Sequence, residues 1–288
     1  MKGAKVISKQ PFISSGKSCG FLGFSRSQLA IPYGLFLSVF VVFPLLLIIY
    51  YAFTSKTGTF SFSNFMAFFT EPTNISTLII SILVSFVVTL LCLLISYPVA
   101  YILSRLKNSN LAFVLLLLFI LPTWLNFVLR AMAMKELLSF IGIPLGSVAS
   151  IIGLVYDFMP FMIMPLYSTL IKMDKSFEEA SSDLGASKVK VFTSVTLPLS
   201  MPGIISGVTM VFLPVMSCYV ITDAFSGSTG FSLIGKLIAK CFLGENGAPI
   251  QINEGAAISL IMLVIMVVTM LLTGGFKNSE NQRGSNLW

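Results

Sequence analysis

Between residues 78 and 103 the chain reads LIISILVSFVVTLLCLLISYPVAYIL, twenty-six residues without one charged side chain. A helix of that length covers the hydrocarbon core of a bilayer, which takes about 20 apolar residues. The run stops at Ser104–Asn110, a tight polar turn holding Arg105 and Lys107, and a second apolar run begins at Leu111. Two such runs back to back read as a pair of membrane helices. The whole chain has the same character. Of its 288 residues 56% are hydrophobic and only 10% charged, with a mean hydropathy of +0.95. A soluble domain is about one-quarter charged.

Working outward, six stretches meet or approach the length of a span: Ala30–Phe53, Leu78–Leu103, Leu111–Met134, Val148–Leu170, Met201–Thr222 and Ala256–Gly274. The expectation is an all-α integral membrane protein with six transmembrane helices. Its divisions are an N-terminal segment 1–29, a six-span domain 30–274 and a tail 275–288. The first apolar run is too long for a signal-peptide core and lacks a small-x-small cleavage site. Basic residues set the orientation. With the N-terminus inside, 13 of the 18 lysines and arginines fall in inside segments. The five outside are Lys56, Arg130, Lys135, Lys236 and Lys240. That asymmetry gives N-in and C-in, and makes the net charge of +7 a topology signal rather than a nucleic-acid footprint.

Several function classes drop out. There is no histidine, so a histidine base, triad or metal ligand is excluded. Cys19, Cys92, Cys218 and Cys241 match no zinc or redox spacing. No nucleophile–base pair is visible, which counts against a membrane enzyme. Gly230-x-x-x-x-Gly235-Lys236 has the outline of a P-loop, but Leu237 stands where a Ser or Thr must hold the metal. No metal or cofactor is expected on this chain. Prolines at 44, 98, 122, 160, 165 and 214 fall inside spans. They fit kinked helices round a pathway, or simply the tolerance of membrane helices for proline.

The long connections are Ile171–Leu197 inside and Asp223–Gly255 outside. The outer one contains Ser232–Leu243, apolar at helical spacing, and should form a short helix. In the inner one, Ser176-Phe-Glu-Glu-Ala-Ser-Ser-Asp-Leu-Gly185 is the most specific segment of the chain. Ser176 and Glu179 make a capping box. Phe177, Ala180 and Leu184 give one apolar stripe, and Gly185 can end the helix left-handed. A second short helix, Lys188–Thr196, should lead into the fifth span. The expected form is a helix–glycine–helix elbow with an apolar surface for a partner.

These residues resemble the cytoplasmic loop of ABC importer permeases, which reads Glu-Ala-Ala, three residues, Gly, nine residues, Ile-x-Leu-Pro. This chain has Glu179-Ala180-Ser181, Gly185 and Val195-x-Leu197-Pro198, with both gaps kept and two conservative departures. The resemblance implies the MetI-like ABC permease fold and docking on a cytoplasmic ATPase through Phe177, Glu178, Glu179, Ala180, Ser181, Asp183, Leu184, Gly185 and Ala186. Within that group the chain is similar to permeases of spermidine/putrescine importers. Tyr97-Pro98-x-Ala100, Pro122-x-Trp124-x-Asn126-x-x-x-Arg130, Pro160-Phe-Met-x-Met-Pro165-Leu-Tyr, Asp183-Leu-Gly-Ala-Ser-Lys188 and Pro198-Leu-x-Met-Pro-Gly-Ile-Ile205 carry that similarity. It implies a bacterial cell-membrane location, an ATPase dimer that binds ATP–Mg, a second and different permease chain, and an extracytoplasmic polyamine-binding protein.

A polycation passing through spans needs carboxylates and aromatic faces. Asp157 lies midway along the fourth span and Asp223 at the outer end of the fifth. Tyr156, Trp124 and Tyr219 stand nearby in sequence terms, as cation–π partners or as packing and interface residues. Asp157 either meets substrate or pairs with Arg130, and it lies outside the similarity to polyamine permeases. Other cargo (sulfate, molybdate, iron or thiamine) and an ion-driven secondary transporter are the rival readings. An anion site would want basic residues in the spans, and the elbow argues against a transporter without an ATPase.

Overall fold

A computed structural model describes residues 26–55, 58–225, 230–244 and 249–272. Within these the chain is nearly all helix, and the only strand-like pairing is one bridge between Thr54 and Phe60. The expected N-terminal segment up to residue 25 and the tail lie outside the described residues, as does Cys19.

Two compact units divide at Leu47 and Ile48. The first carries α1 (Arg26–Leu37), a π turn (Ser38–Val42) and the start of α2 (Phe43–Ala52). The π turn has a cause in the sequence. Pro44 has no N–H, and its ring would press on the carbonyl four residues back. Widening the preceding turn relieves this, and the Phe43 N–H bonds to the Ser38 carbonyl, five residues back.

In the second unit, α4 (Pro72–Arg105), α7 (Ser147–Leu170) and α10 (Leu197–Ser217) form the centre. Cys92 Sγ donates to the Val155 carbonyl at 3.7 Å and Ser96 Oγ to the Met159 carbonyl at 3.5 Å. The offset is the same for both, so α4 and α7 run parallel. α10 runs antiparallel to α7, with Gly203 against Pro165 and Thr169 and Gly207 against Met162. A Cβ on Gly203 would sit 2.7 Å from Thr169 Oγ1, and one on Gly207 2.5 Å from Met162 Sδ. Small residues permit this approach where burial from water cannot drive helix association.

The expected third span is not one helix. α5 (Ser109–Ile120) passes into a 3₁₀ turn (Leu121–Trp124), and α6 (Phe127–Phe140) leaves at 101°. Pro122 cannot donate to the helix behind it, and Asn126 caps the new one by accepting from the N–H groups of Val128 (2.9 Å) and Leu129 (3.4 Å). Among the described residues, five helices are therefore long and apolar enough to cross a membrane, and a sixth if the bent pair counts as one. The parallel pairing of α4 and α7 requires residues 106–146 to return the chain to the end where α4 began. α5 and its 3₁₀ turn rise about 26 Å, close to the hydrocarbon thickness of about 30 Å.

Two other expectations change. The fifth span and the short helix before it are one helical run, Lys188–Ser217. It comprises α9 (Lys188–Val191), a π turn (Phe192–Thr196) and α10. Pro198 produces this π turn as Pro44 does the first: the Leu197 N–H reaches the Phe192 carbonyl. The helix then ends at Ser217, and Thr222 belongs to a separate α11 (Val220–Phe225).

A second layer gathers α3 (Ser63–Thr70), α12 (Ile234–Leu243) and α13 (Ile252–Leu272) over the early part of α4 through Phe68, Met216, Ile234, Cys241, Ile258 and Met262. α12 is the short helix expected over Ser232–Leu243. Its first N–H, on Ile234, donates to Ser81 Oγ at 2.8 Å. A Cβ on Gly235 would lie 2.0 Å from the Ser217 carbonyl oxygen. The glycine of the P-loop look-alike is thus a packing contact.

Candidate functional site

The elbow follows its sequence closely. α8 (Ser176–Asp183) is followed by Gly185 at φ +81°. The Ala186 N–H bonds to the Ser181 carbonyl at 3.2 Å and the Gly185 N–H to the Ser182 carbonyl at 2.9 Å. That double closure satisfies the last carbonyls of α8 and turns the chain. The capping box does not form. The helix opens one residue too early for it: Lys175 stands at the cap, the Glu179 N–H bonds to the Lys175 carbonyl at 3.0 Å, and the Ser176 N–H donates to Asp174 Oδ1 at 2.9 Å. This bond and that from the Ser176 hydroxyl hold the Asp174 carboxyl below the ordinary range. Ser187 caps α9 through the Lys190 N–H at 3.4 Å.

Phe177 is 56% exposed and Leu184 90%, and Val189 is also bare. Glu179, Ala180 and Asp183 face outward beside them, while Ser181 and Ala186 are half-buried. Glu178 behaves differently. Its Oε1 receives the Arg105 guanidinium from the end of α4 and the Thr196 hydroxyl at 2.8 Å from the π turn. Tyr101, Glu178, Glu179, Asp183, Lys188 and Phe192 line a cleft of about 440 Å³ here.

Inside the bundle, Arg130 Nε lies 2.8 Å from Asp157 Oδ1. Arg130 Nη1 also donates to the Pro122 carbonyl at 3.2 Å, and its guanidinium stands 5.8 Å from the Phe127 ring. One arginine thus closes the break between α5 and α6 and fixes α6 to α7. Asp157 is thus paired with Arg130, with 1% of its side chain exposed. Asp223 lies on α11, and its Oδ1 sits 2.5 Å from Lys236 Nζ on α12. Tyr219, Asp223, Lys236 and Lys240 border a cavity of about 130 Å³. Of the five expected pathway residues, Tyr219 and Asp223 share this cavity. Tyr156 is half-buried beside Asp157 on α7, and Trp124, 81% exposed, stands apart on the 3₁₀ turn.

The relatives decide the family. Over 274 residues the chain is 35% identical to the spermidine/putrescine transport system permease protein PotB of Salmonella typhimurium, covering 87% of this chain and 93% of that one. The chain belongs to the PotB permease family. It is 35% identical to PotB of Escherichia coli (82% and 92% covered) and 34% identical to PotB of Haemophilus influenzae (86% and 92%). No protein-family model matches. In fold the chain is similar to a chain of a bacterial alginate ABC importer, with a TM-score of 0.65, 17% identity, and 87% and 93% coverage. It is also similar to a chain of the MetNI methionine ABC transporter, at 0.50, 20%, 73% and 94%. This PotB-family protein is an ABC permease, a transport subunit, with the MetI-like fold.

Three residues of the candidate site escape a sequence reading. Arg105 counts there only as a positive-inside charge, Thr196 as part of a loop helix and Lys236 as an outside lysine. Arg105 and Thr196 lie 73 and 18 residues from their shared partner. No local pattern pairs them.

Proposed function

We propose that the chain forms half of the translocation pathway of an ATP-driven polyamine importer in a bacterial cell membrane, with its elbow and both termini in the cytoplasm. Energy comes from a separate ATPase that binds ATP–Mg and docks on the elbow. Cargo arrives from an extracytoplasmic binding protein, and a second permease chain completes the pathway. The observation that carries the reading is the elbow. An ordered helix, stopped by Gly185, presents bare Phe177, Leu184 and Val189 at the end of the bundle where Arg105 ends α4. Apolar side chains displayed on so well-formed a turn need a protein partner. A related fold, the alginate transporter, has been solved in complex with a substrate-bound periplasmic protein. Polyamine as the cargo rests on the relatives, which are spermidine/putrescine permeases. Asp223 and Tyr219 are the pathway residues proposed to meet the cation, with Trp124 and Tyr156 as aromatic contacts. Asp157 serves the pathway through Arg130.

The test is reconstitution of the chain with an ATPase, a second permease and a polyamine-binding protein of a PotB-type importer. ATP-dependent uptake of labelled spermidine or putrescine is the expected result. Uptake that persists without the ATPase would identify a gradient-driven transporter. Uptake of sulfate or thiamine in place of polyamine would change the cargo.

A further inference from the structure

We propose that Glu178 is not a docking residue but the internal clamp that makes the elbow move with the spans. It rests on the coupling role proposed for the elbow and names the side chain through which that coupling runs. Glu178 is the turned-in member of an acidic row. Glu179 and Asp183 are exposed, whereas the Glu178 side chain is 18% exposed and its Oε1 is already engaged twice. Those two bonds lead to different spans.

Arg105 is the last residue of α4, and its guanidinium stands 5.4 Å from the Tyr101 ring. Thr196, fully buried, closes the π turn that opens α10. The same two helices are knotted beneath the clamp. Tyr97 and Tyr101 meet Phe192 edge-on at 5.6 and 6.2 Å, and Tyr97 Oη lies 2.9 Å from Ser200 Oγ. A push on α8 therefore reaches the end of α4 and the start of α10 through one carboxylate. Bonds of this kind, with one or both partners charged, are about twice as strong as neutral ones, and partial burial limits their screening. The π turn widens one turn but leaves the helical run continuous from Lys188 to Ser217, so the motion passes on into α10. Glu178 is thus a positioning residue, and Arg105 and Thr196 are its two anchors.

The test uses the assembled importer carrying Glu178→Gln, Arg105→Gln or Thr196→Val, and the exchange Arg105→Glu with Glu178→Arg. Labelled spermidine uptake and ATP hydrolysis are read together with recovery of the ATPase on the purified permease. Each single change should raise the ATP hydrolysed per cargo moved, about tenfold for the two charged positions. ATPase recovery should stay at the wild-type level, and the exchange should restore the ratio to within about threefold. A second readout needs no cargo. Tryptic cleavage at Lys188 and Lys190 of the solubilised permease should quicken in Glu178→Gln and Arg105→Gln and slow again in the exchange. Loss of ATPase recovery in Glu178→Gln alone would make Glu178 a docking residue and overturn the clamp. Additive effects of Glu178→Gln and Arg105→Gln would also overturn it. If the wild-type complex moves no spermidine, the cargo assignment fails, and the cleavage rates still decide the clamp.

Discussion

Arg130 Nε and Asp157 Oδ1 face each other across 2.8 Å, with 6% and 1% of their side chains exposed. Neither can be discharged into water, so each is the condition for burying the other. Truncating one strands the other's charge, which typically costs about 3–5 kcal/mol, whereas replacing both with apolar groups of similar volume is often neutral. Asp157→Ala should therefore destabilise the solubilised permease severely, and Arg130→Met with Asp157→Leu should recover most of the loss. Thermal unfolding in detergent measures both. A single variant as stable as wild type would show that the pair contributes nothing.

Gly185 has open space around its Cα and a φ of +81°. Within the chain itself the cost of a side chain there is conformational, about 1–2 kcal/mol for an ordinary L-residue, and a charge there acts on the docked partner instead. Asparagine, which tolerates this region, should be mildest, alanine intermediate and valine worst. Gly185→Asp should separate ATP hydrolysis from uptake while membrane insertion stays intact. Wild-type transport in that variant would count against the docking role of the elbow.

Gly235 and Gly203 fail for the opposite reason. A Cβ on Gly235 would meet backbone, the Ser217 carbonyl oxygen, at 2.0 Å, and one on Gly203 the Thr169 side chain at 2.7 Å and the Pro165 carbonyl at 3.0 Å. Overpacking of this sort costs about 1–3 kcal/mol and sometimes more. Gly235→Ala should lower thermal stability more than Gly203→Ala, because it meets backbone at 2.0 Å, whereas the nearest atom to Gly203 is a side-chain hydroxyl that can turn aside.

The Asp223–Lys236 pair is 55% and 33% exposed, and such pairs are worth about 0–1 kcal/mol. Asp223→Asn should leave assembly and thermal stability nearly untouched while weakening uptake at limiting polyamine. Unchanged uptake under those conditions would remove Asp223 from the pathway.

Asp174 links the elbow to pH. Its carboxyl is held below the ordinary value of 3.8 by the hydrogen bonds from Ser176. A depressed acid contributes stability above its unfolded value and loses it as pH falls through the folded one. The start of α8 should therefore resist proteolysis equally across neutral and mildly acidic pH and loosen only below about 3.8. Asp174→Ala should show the loosened state at every pH, and Asp174→Asn, a neutral acceptor like the protonated acid, should match the acid-treated wild type and lose the pH dependence.

The features legible in the sequence are those that one segment settles alone. Span lengths answer to bilayer thickness, and Gly185 answers to a local backbone need. The third span misleads because hydropathy is blind to direction: Leu111–Ile120 and Phe127–Met134 are apolar on either side of a 101° bend. Pro122, Asn126 and Arg130 were visible as a motif. Their work as breaker, cap and brace emerges only when Asp157 arrives from another helix. Pro198 looks like the start of a span, yet the chain absorbs it by widening one turn. The clamp on Glu178 depends on side chains from three elements and has no linear signature.

The unbroken run from Lys188 to Ser217 has a mechanical meaning. Its 30 residues span about 45 Å. It is gripped by α7 at Gly203 and Gly207, leaving arms of about 26 Å toward the elbow and 18 Å toward Ser217. It is a lever with its fulcrum inside the bundle. A shift of about 1 Å at the elbow becomes an opposite shift of about 0.7 Å at Ser217, by the ratio of those arms. There the carbonyl of Ser217 already touches Gly235, and the next residue of α12 is the lysine that holds Asp223. The close approach of Ser217 to Gly235 therefore lies at the tip of the arm that the elbow would swing.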